Sequence, residues 1–548
     1  MKKSNVSLLS LVLILSFLIS ACGEELPDLS EQEEAAETEA LDVADEEALI
    51  IGVSNNIDSV NPFNKGGLVS TYVQRFLYES LLNMEGPTEF EPRLGEFTTE
   101  DNQNFRLTLM EDATWTDGEP ITTKDVVYTI NTIADPDTLT SLRTRVAMIE
   151  GTDDSGERVE DQEELAGLEI IDDYEMNIQT KEPVDLNYLS EFLGFEVLIA
   201  PEHIFGEIDP ADIHTADAAI TPEVTGGPYQ FVENKEDNYL QIAANEDYYR
   251  GAPNIQDVFF RVLDSTTMVT ELQAGGIDMT AGAGIGVISD EDISIVEDID
   301  NLDVDSSIGS GVQVLVFNHD HERLQDPKVR KAFAHAIDKE LAFKNLLHEN
   351  GELVTTMYTS MNPYRNDEIE PIPHDPEKAK ELLEEANFDF DDPIQMIVPV
   401  GNAAREQMAD LTQQWLEEIG LSVEQEHYDF TTWLSKADEG DFDIGFMGMA
   451  HTYEPNIENQ YGTGGSSNYG NISDPKLDEY IAEGKKGTSF EERKPVYDEM
   501  QEHFVETMPI IPLYSEAEYL IKVSNLEGGA KPFFQATTND VHEWHFTD

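Results

Sequence analysis

The chain has 548 residues, with 113 Asp+Glu against 32 Lys+Arg, a formal net charge of −81 and a hydrophobic fraction of 40%. So acidic a surface repels phosphate backbones and anionic lipid, which excludes general nucleic-acid binding and membrane docking through a basic face. The 25 Phe, 19 Tyr and 4 Trp can nevertheless fill large cores, and the one cysteine, Cys22, rules out intrachain disulfides and Cys-based zinc or iron–sulfur sites.

Lys2 and Lys3 precede an apolar run from about Leu8 to Ile19, too short for a comfortable membrane span and typical of a secretory signal. Leu18-Ile19-Ser20-Ala21-Cys22 resembles the bacterial lipobox, which makes residues 1–21 the expected signal peptide and Cys22 the expected lipidation site. At ~0.8 kcal/mol per buried CH₂, two acyl chains hold a protein on a membrane without further contacts. From Glu24 to Ala48 there are 12 acidic residues, no Lys or Arg and no aromatics. Residues 22–48 are therefore expected to be the lipidated Cys and a disordered acidic tether reaching roughly 25–30 Å. No later run of 18 apolar residues follows, so the remainder is expected outside the membrane, and its dispersed carboxylates read as adaptation to a saline or alkaline exterior.

The folded body is expected to open with the strand Leu49-Ile50-Ile51-Gly52-Val53 and a loop through Asn61-Pro62. Period-two patterns predict strands at Phe105/Leu107/Leu109, Val258/Phe260/Val262 and Val312/Val314/Val316. Asp326-Pro327 supplies an N-cap and first-turn proline for a helix whose apolar face runs from Val329 to Leu341. His374-Asp375-Pro376 opens another. A third carries Met408, Leu411, Trp415 and Ile419, stops at Gly420, a left-handed C-cap, and leads into a strand at Leu421-Ser422-Val423. Repeated helix-to-strand units place the body in the α/β class.

Enzyme signatures are absent: there is no Gly-x-Ser-x-Gly, His-Glu-x-x-His, Walker loop or Gly-x-Gly-x-x-Gly after a strand, and no cysteine nucleophile. His319-Asp320-His321 has the spacing of two metal ligands on an extended segment, but reads better as a surface loop after a strand. Asp298-Ile299-Asp300-Asn301-Leu302-Asp303 lacks the glycine and the oxygen ligand that a calcium loop needs. No catalytic activity, cofactor or metal is expected.

Several segments, in one order, carry a family likeness. They are Leu107 to Val127 around Trp115-Thr116-Asp117-Gly118, Gly226-Gly227-Pro228-Tyr229, Asn245 to Pro253, Leu272 to Asp278, Phe317 to Asp338, and Pro509-Ile510-Ile511-Pro512-Leu513-Tyr514. From about residue 50 onward the chain resembles the large solute-binding lipoproteins of oligopeptide, dipeptide and nickel ABC importers. Trp115 and Gly227 themselves read as a turn with a packed indole and as the start of a strand.

The resemblance implies an α/β, periplasmic-binding-protein-like type II fold: two lobes with a hinge plus an inserted third subdomain. The expected boundaries are 49–66, 186–310 and 512–548 for lobe I, 67–185 for the insertion and 311–511 for lobe II. It implies a monomeric, lipid-anchored extracytoplasmic protein that captures oligopeptides by strand addition in the inter-lobe cleft and passes them to an ABC permease and its ATPase. A nickel chelate, a sugar or another small solute are alternatives on the same fold; a peptide-sensing receptor or chaperone-like lipoprotein is one of another class. Expected ligand contacts are Asn61, Phe430, the run Met449-Ala450-His451-Thr452-Tyr453-Glu454, and Tyr514. In the pair Phe430 and Trp433, the first is expected at the cleft and the second in the core. The family's short-peptide binders place a Trp and then an Asp, which holds the peptide's ammonium, where this chain has Gly448 or Met449 and then His451. An imidazole cannot replace that carboxylate, so terminal-ammonium recognition is expected to be weak unless Glu454 substitutes.

Overall fold

The computed structural model describes residues 48–64, 66–159, 164–282 and 284–547. The expected signal peptide, Cys22 and nearly all of the tether lie outside the described residues. No helix among the described residues is long and apolar enough to cross a membrane.

The first strand, Leu49–Val53, is buried on both faces and pairs in parallel with Asp257–Val262 and Met279–Thr280. Outward from it the sheet continues antiparallel through Tyr239–Ala244 to Tyr229–Lys235. The second half of the sheet holds Val312–Phe317, Ile444–Met449, Ile394–Pro399 and Val423–Tyr428 in that order. Val312, Val314 and Val316 feed one core and Leu315 and Phe317 another. That strand is apolar on both faces, as a central strand covered by helices on either side must be.

One 14-residue strand, Ile510–Val523, joins the halves into a single twelve-stranded sheet. It pairs antiparallel with Val312–Phe317 through Tyr514, and with Leu302–Ile308 from Ala517 onward. The ladder shifts register at Gln313/Val314, an irregularity at the join that re-aims side chains locally. A separate four-stranded sheet, ordered Gly95–Thr99, Asn104–Leu109, Glu175–Gln179, Leu168–Asp172, packs into the core of the first half. The molecule is thus a two-lobed, type II α/β fold with an added subdomain.

Local sequence accounts for most element ends. Asp326, Asp375 and Asp474 each accept a backbone N–H of the first turn and are followed by proline at the first helical position. Thr122 forms a capping box with Asp125 at the start of Thr123–Ala134. Gly118 at φ +90° closes the turn after a buried Trp115, and Gly420 at φ +99° follows the helix Ala403–Glu418. Two expectations need correction. The helix after Asp326-Pro327 ends at Ala336, because Asp338 caps a new one, Lys339–Leu346, by accepting the Leu341 N–H at 3.0 Å. Leu341, placed on the buried face by periodicity, is exposed. The strand expected at Leu421 begins at Val423.

Arg93 and Glu79 form a buried ion pair that ties several segments of the first lobe together. Tyr248 Oη donates to Glu79 Oε1 at 2.7 Å, and Arg93 donates to Asn83 Oδ1 at 2.8 Å and to the Asn539 carbonyl at 3.1 Å. Glu79→Gln leaves the guanidinium buried without its carboxylate and is expected to cost ~3–5 kcal/mol in denaturant unfolding. Lys328→Ala, which breaks an exposed pair with Glu385, should leave the midpoint unchanged.

Candidate functional site

The C-terminal ends of the parallel strands in both halves point toward the join, the place where open α/β sheets hold ligands. On the first lobe, Val53 leads into Ser54, whose N–H donates to the Ile285 carbonyl at 2.6 Å and whose Oγ accepts from Val287 N–H at 2.8 Å. On the second, Ile394–Pro399 leads to Asn402 and Arg405, Val423–Tyr428 to Phe430, and Ile444–Met449 to the segment through Glu454.

Strand alternation puts Tyr514, Glu516 and Glu518 on one face of the joining strand. Asn402 Nδ2 donates to Glu516 Oε1 at 3.2 Å, and Arg405 Nε donates to Gln313 Oε1 at 2.8 Å. Gly448 faces the same space, since a Cβ built there stands 3.0 Å from Arg405 Nη2. Burial pulls the Arg405 pKa down against the nearby Tyr514, Glu516 and Glu406. Among the described residues its guanidinium forms no ion pair within 4.0 Å. Burial, helped by Glu516, pushes the Glu518 carboxyl up to about 7, and a side chain at Gly309 would run into that carboxylate. The joining strand therefore carries two carboxyl groups, and the nearer, Glu516, acts on the partly desolvated Arg405 guanidinium.

The expected binding run behaves mostly as a braced loop. Met449 is buried opposite Val312, and Ala450 is exposed. His451 is buried, stacks on Tyr461 with centroids 5.8 Å apart, and its Nε2 lies 3.1 Å from Tyr461 Oη. Burial pulls its pKa down to about 4, so the imidazole is neutral. Thr452 Oγ1 donates to the Glu454 carbonyl at 2.6 Å, and Asn362 Nδ2 donates to the carbonyls of Thr452 and Tyr453 at 3.2 and 3.1 Å. The Tyr453 ring packs 5.3 Å from Phe533 across the join. Glu454 is 0% exposed and ion-paired with Arg493 at 2.8 Å, which also lies 3.4 Å from Asp185. With that pairing, Glu454 is already neutralised by a buried guanidinium.

Asn61 is buried in the loop after the first strand. Its Oδ1 accepts the Phe63 N–H at 3.0 Å and its carbonyl accepts from Gln74 Nε2 at 2.9 Å. Tyr514 sits in the joining strand opposite Gln313 and Leu353. His319 and His321 do not converge: His319 Nε2 is 2.8 Å from the Pro509 carbonyl, and His321 Nδ1 is 2.8 Å from Asp443 Oδ1. Cys22 lies outside the described residues. Sequence reasoning missed Arg405, Gln313 and the Glu516/Glu518 pair, because three separate elements bring them together. The one available signal was that Arg405 is the only Lys or Arg between Lys380 and Lys436.

Phe430 begins the helix Phe430–Glu439 and is 50% exposed, whereas Trp433, one turn later, is fully buried with Nε1 3.4 Å from the Ile397 carbonyl. Trp433→Ala is expected to lose ~3–5 kcal/mol of stability. Phe430→Ala should unfold like the parent while weakening ligand binding. Paired denaturation and calorimetric titrations check both.

Residues 89–471 match the family model described as bacterial extracellular solute-binding proteins, family 5 middle. The chain is 24% identical over 553 residues to the oligopeptide-binding protein AppA of Bacillus subtilis (strain 168), covering 96% of each chain. The solved structure of AppA from Bacillus subtilis in complex with a nonapeptide superposes with a TM-score of 0.75 at 21% identity, over 91% of this chain and 99% of that one. NikZ from Campylobacter jejuni in complex with Ni(L-His) superposes with a TM-score of 0.76 at 21% identity, over 91% and 100%.

Proposed function

The chain belongs to the bacterial extracellular solute-binding proteins, family 5, a family of binding proteins rather than enzymes, and on that premise we propose that it captures oligopeptides between its lobes for an ABC importer. In this reading it is a monomer held at the outer face of the membrane by diacylglyceryl-Cys22, and it delivers its ligand to a permease and its ATPase. We place lobe I at 49–66, 186–310 and 512–548, the insertion at 67–185 and lobe II at 311–511.

The cleft floor carries the proposal. Arg405 offers a partly desolvated guanidinium, the group best suited to a carboxylate, at a point where no protein carboxylate occupies it among the described residues. Beside it, Glu516 and Glu518 favour ammonium groups on the same ligand. A chain with a free carboxylate and cationic side chains fits that polarity. The register shift at Gln313/Val314 and the backbone of Gly309 to Gly311 interrupt the ladder at the join. Such a break offers main-chain groups for strand addition, which binds peptides with little sequence preference. Contact with both lobes lets the ligand favour the closed form over the open one.

The ammonium terminus is a different matter. His451 is neutral and Glu454 is taken by Arg493, so neither replaces the family's aspartate. We expect N-acetylation of a bound peptide to cost less than the ~2 kcal/mol of a broken buried charge pair. C-terminal amidation, or Arg405→Gln, should weaken binding at least tenfold, and the two changes together should cost little more than either alone. Titration calorimetry of the four combinations measures this. Mass spectrometry of the denatured protein tests the ligand class: mixed peptides support the reading, and a single sugar or metal chelate overturns it. Lysine-containing peptides should bind better than glutamate-containing ones at low salt, and the difference should shrink as salt shortens the Debye length to ~8 Å. Peptide uptake that persists after deletion of this protein would instead favour a sensing or chaperone-like role.

A further inference from the structure

Glu191 is a buried carboxylate of the first lobe that the binding reading above does not use. It lies in the π-helical turn Ser190–Phe195, which continues the helix Leu186–Leu189 capped by Asp185. Such turns displace a side chain from its regular helical direction and recur at functional positions. Glu191 Oε1 accepts the Tyr453 N–H at 3.2 Å, and Oε2 accepts the Glu454 N–H at 2.7 Å. One carboxyl group of lobe I thereby holds two consecutive amides of the lobe II segment that closes over the join. Met84 and Phe195 of the first lobe pack with Tyr453 around this contact.

We propose that Glu191 is a positioning residue for ligand capture: its carboxyl group closes on the N–H groups of Tyr453 and Glu454 and fixes the 451–454 segment only when the lobes are together. The proposal deepens the cleft-binding reading and rests on it, but not on the identity of the ligand. Opening the lobes returns the carboxyl group and both amides to water, so the contact belongs to the closed form alone. Both oxygens must accept: a carboxyl group, ionised or protonated, keeps a lone pair on each, whereas a carboxamide presents one oxygen and turns an N–H₂ toward the other amide.

The charge environment gives the contact a pH signature. On its own turn Glu196 is paired with Arg145, and Arg75 stacks on Phe195 and donates to its carbonyl at 3.1 Å. From the facing lobe come Glu454 and Arg493, which also reaches Asp185, the cap of the helix that leads into the Glu191 turn; Glu518 of the joining strand and Tyr188 complete the surroundings. No cation pairs with Glu191 itself among the described residues. Burial first, then Glu196 and Glu454, push its pKa up to about 8 against the two amide donors. An open, solvated glutamate titrates near 4.3. The closed form is thus favoured by protonation: this contribution is complete below the open-form pKa, falls as pH rises, and is gone above about 8.

Amide hydrogen exchange of the full chain reads the contact, alone and after addition of a nonapeptide of alternating alanine and lysine, which raises the fraction of molecules with the lobes together. In the parent the amides of Tyr453 and Glu454 should be protected, and Glu191→Ala should lower that protection at least tenfold while the amides of Val312–Phe317 stay unchanged. Calorimetry with a nonapeptide of alternating alanine and lysine, in two buffers of different ionisation enthalpy at pH 6.5, should show the parent taking up close to one proton more on binding than Glu191→Gln. Glu191→Asp, too short to reach both amides, should protect one at most. Equal protection in parent and Glu191→Ala overturns the proposal. So does equal proton uptake in parent and Glu191→Gln, or a loss of protection spread over the whole sheet, which would mark a folding defect. If the parent binds no nonapeptide, the exchange result still decides the role of Glu191, and that failure counts against the peptide reading alone.

Discussion

The strand Ile510–Val523 is the constraint on which both lobes depend. Ile510 enters one core of the second lobe, and Ile511 and Leu513 enter the other. Leu520 and Ile521 then enter the two cores on either face of the first lobe's sheet. A single strand therefore contributes to four packed layers, and its backbone ladder changes partner between Tyr514 and Ala517. That ladder is weakest at the register shift and beside Gly309 and Gly311, so bending there breaks fewer hydrogen bonds between buried strands than bending elsewhere.

The acidity of the chain shapes what its few cations do. Arg493 serves Glu454 and Asp185, Arg93 serves Glu79, and Arg323 lies 3.0 Å from Asp392 and is also paired with Asp443. Arg330 is buried and donates to the carbonyls of Leu324, Gln325, Thr507 and Met508. Arginine suits these tasks because its planar fork meets several acceptors at once. Arg405 is bonded to the neutral Gln313 and forms no ion pair within 4.0 Å among the described residues, which suits the carboxylate-binding role proposed for it.

The fold was legible where sequence encodes a local decision. Aspartate before proline marks the helix starts read at Asp326 and Asp375, glycine marks the stop after Ala403–Glu418, and alternation marks Asn104–Leu109, whose residues are buried at every second position. Reading failed where two local signals competed, as at Asp338, where a cap interrupts an otherwise continuous apolar stripe. The cleft was only partly legible. Trp433 and Phe430 separate into core and surface although a spacing of three puts both on one helix face, because Phe430 is the first residue of its helix; the family resemblance, not periodicity, distinguished them. The Arg405–Gln313 contact and the Glu191 clasp join residues 92 and about 262 positions apart, and no periodicity encodes such a meeting. Their positions follow from the sheet order, which local patterns do not specify.

The buried ring of Trp544 and Leu520 of the joining strand both belong to the first lobe's core, although they come from the last tenth of the chain. That core also holds Leu49, so it draws on both ends of the folded body, whereas the two cores of the other half draw on residues between Val312 and Tyr514. A chain that emerges from its N-terminus can finish the second lobe while the first still lacks a sheet strand and part of its core. The early residues must stay soluble in that interval, and their dense carboxylates supply mutual repulsion that opposes aggregation. The order of synthesis and the charge of the chain thus serve one end, keeping an incomplete sheet apart from its neighbours until its last strand arrives.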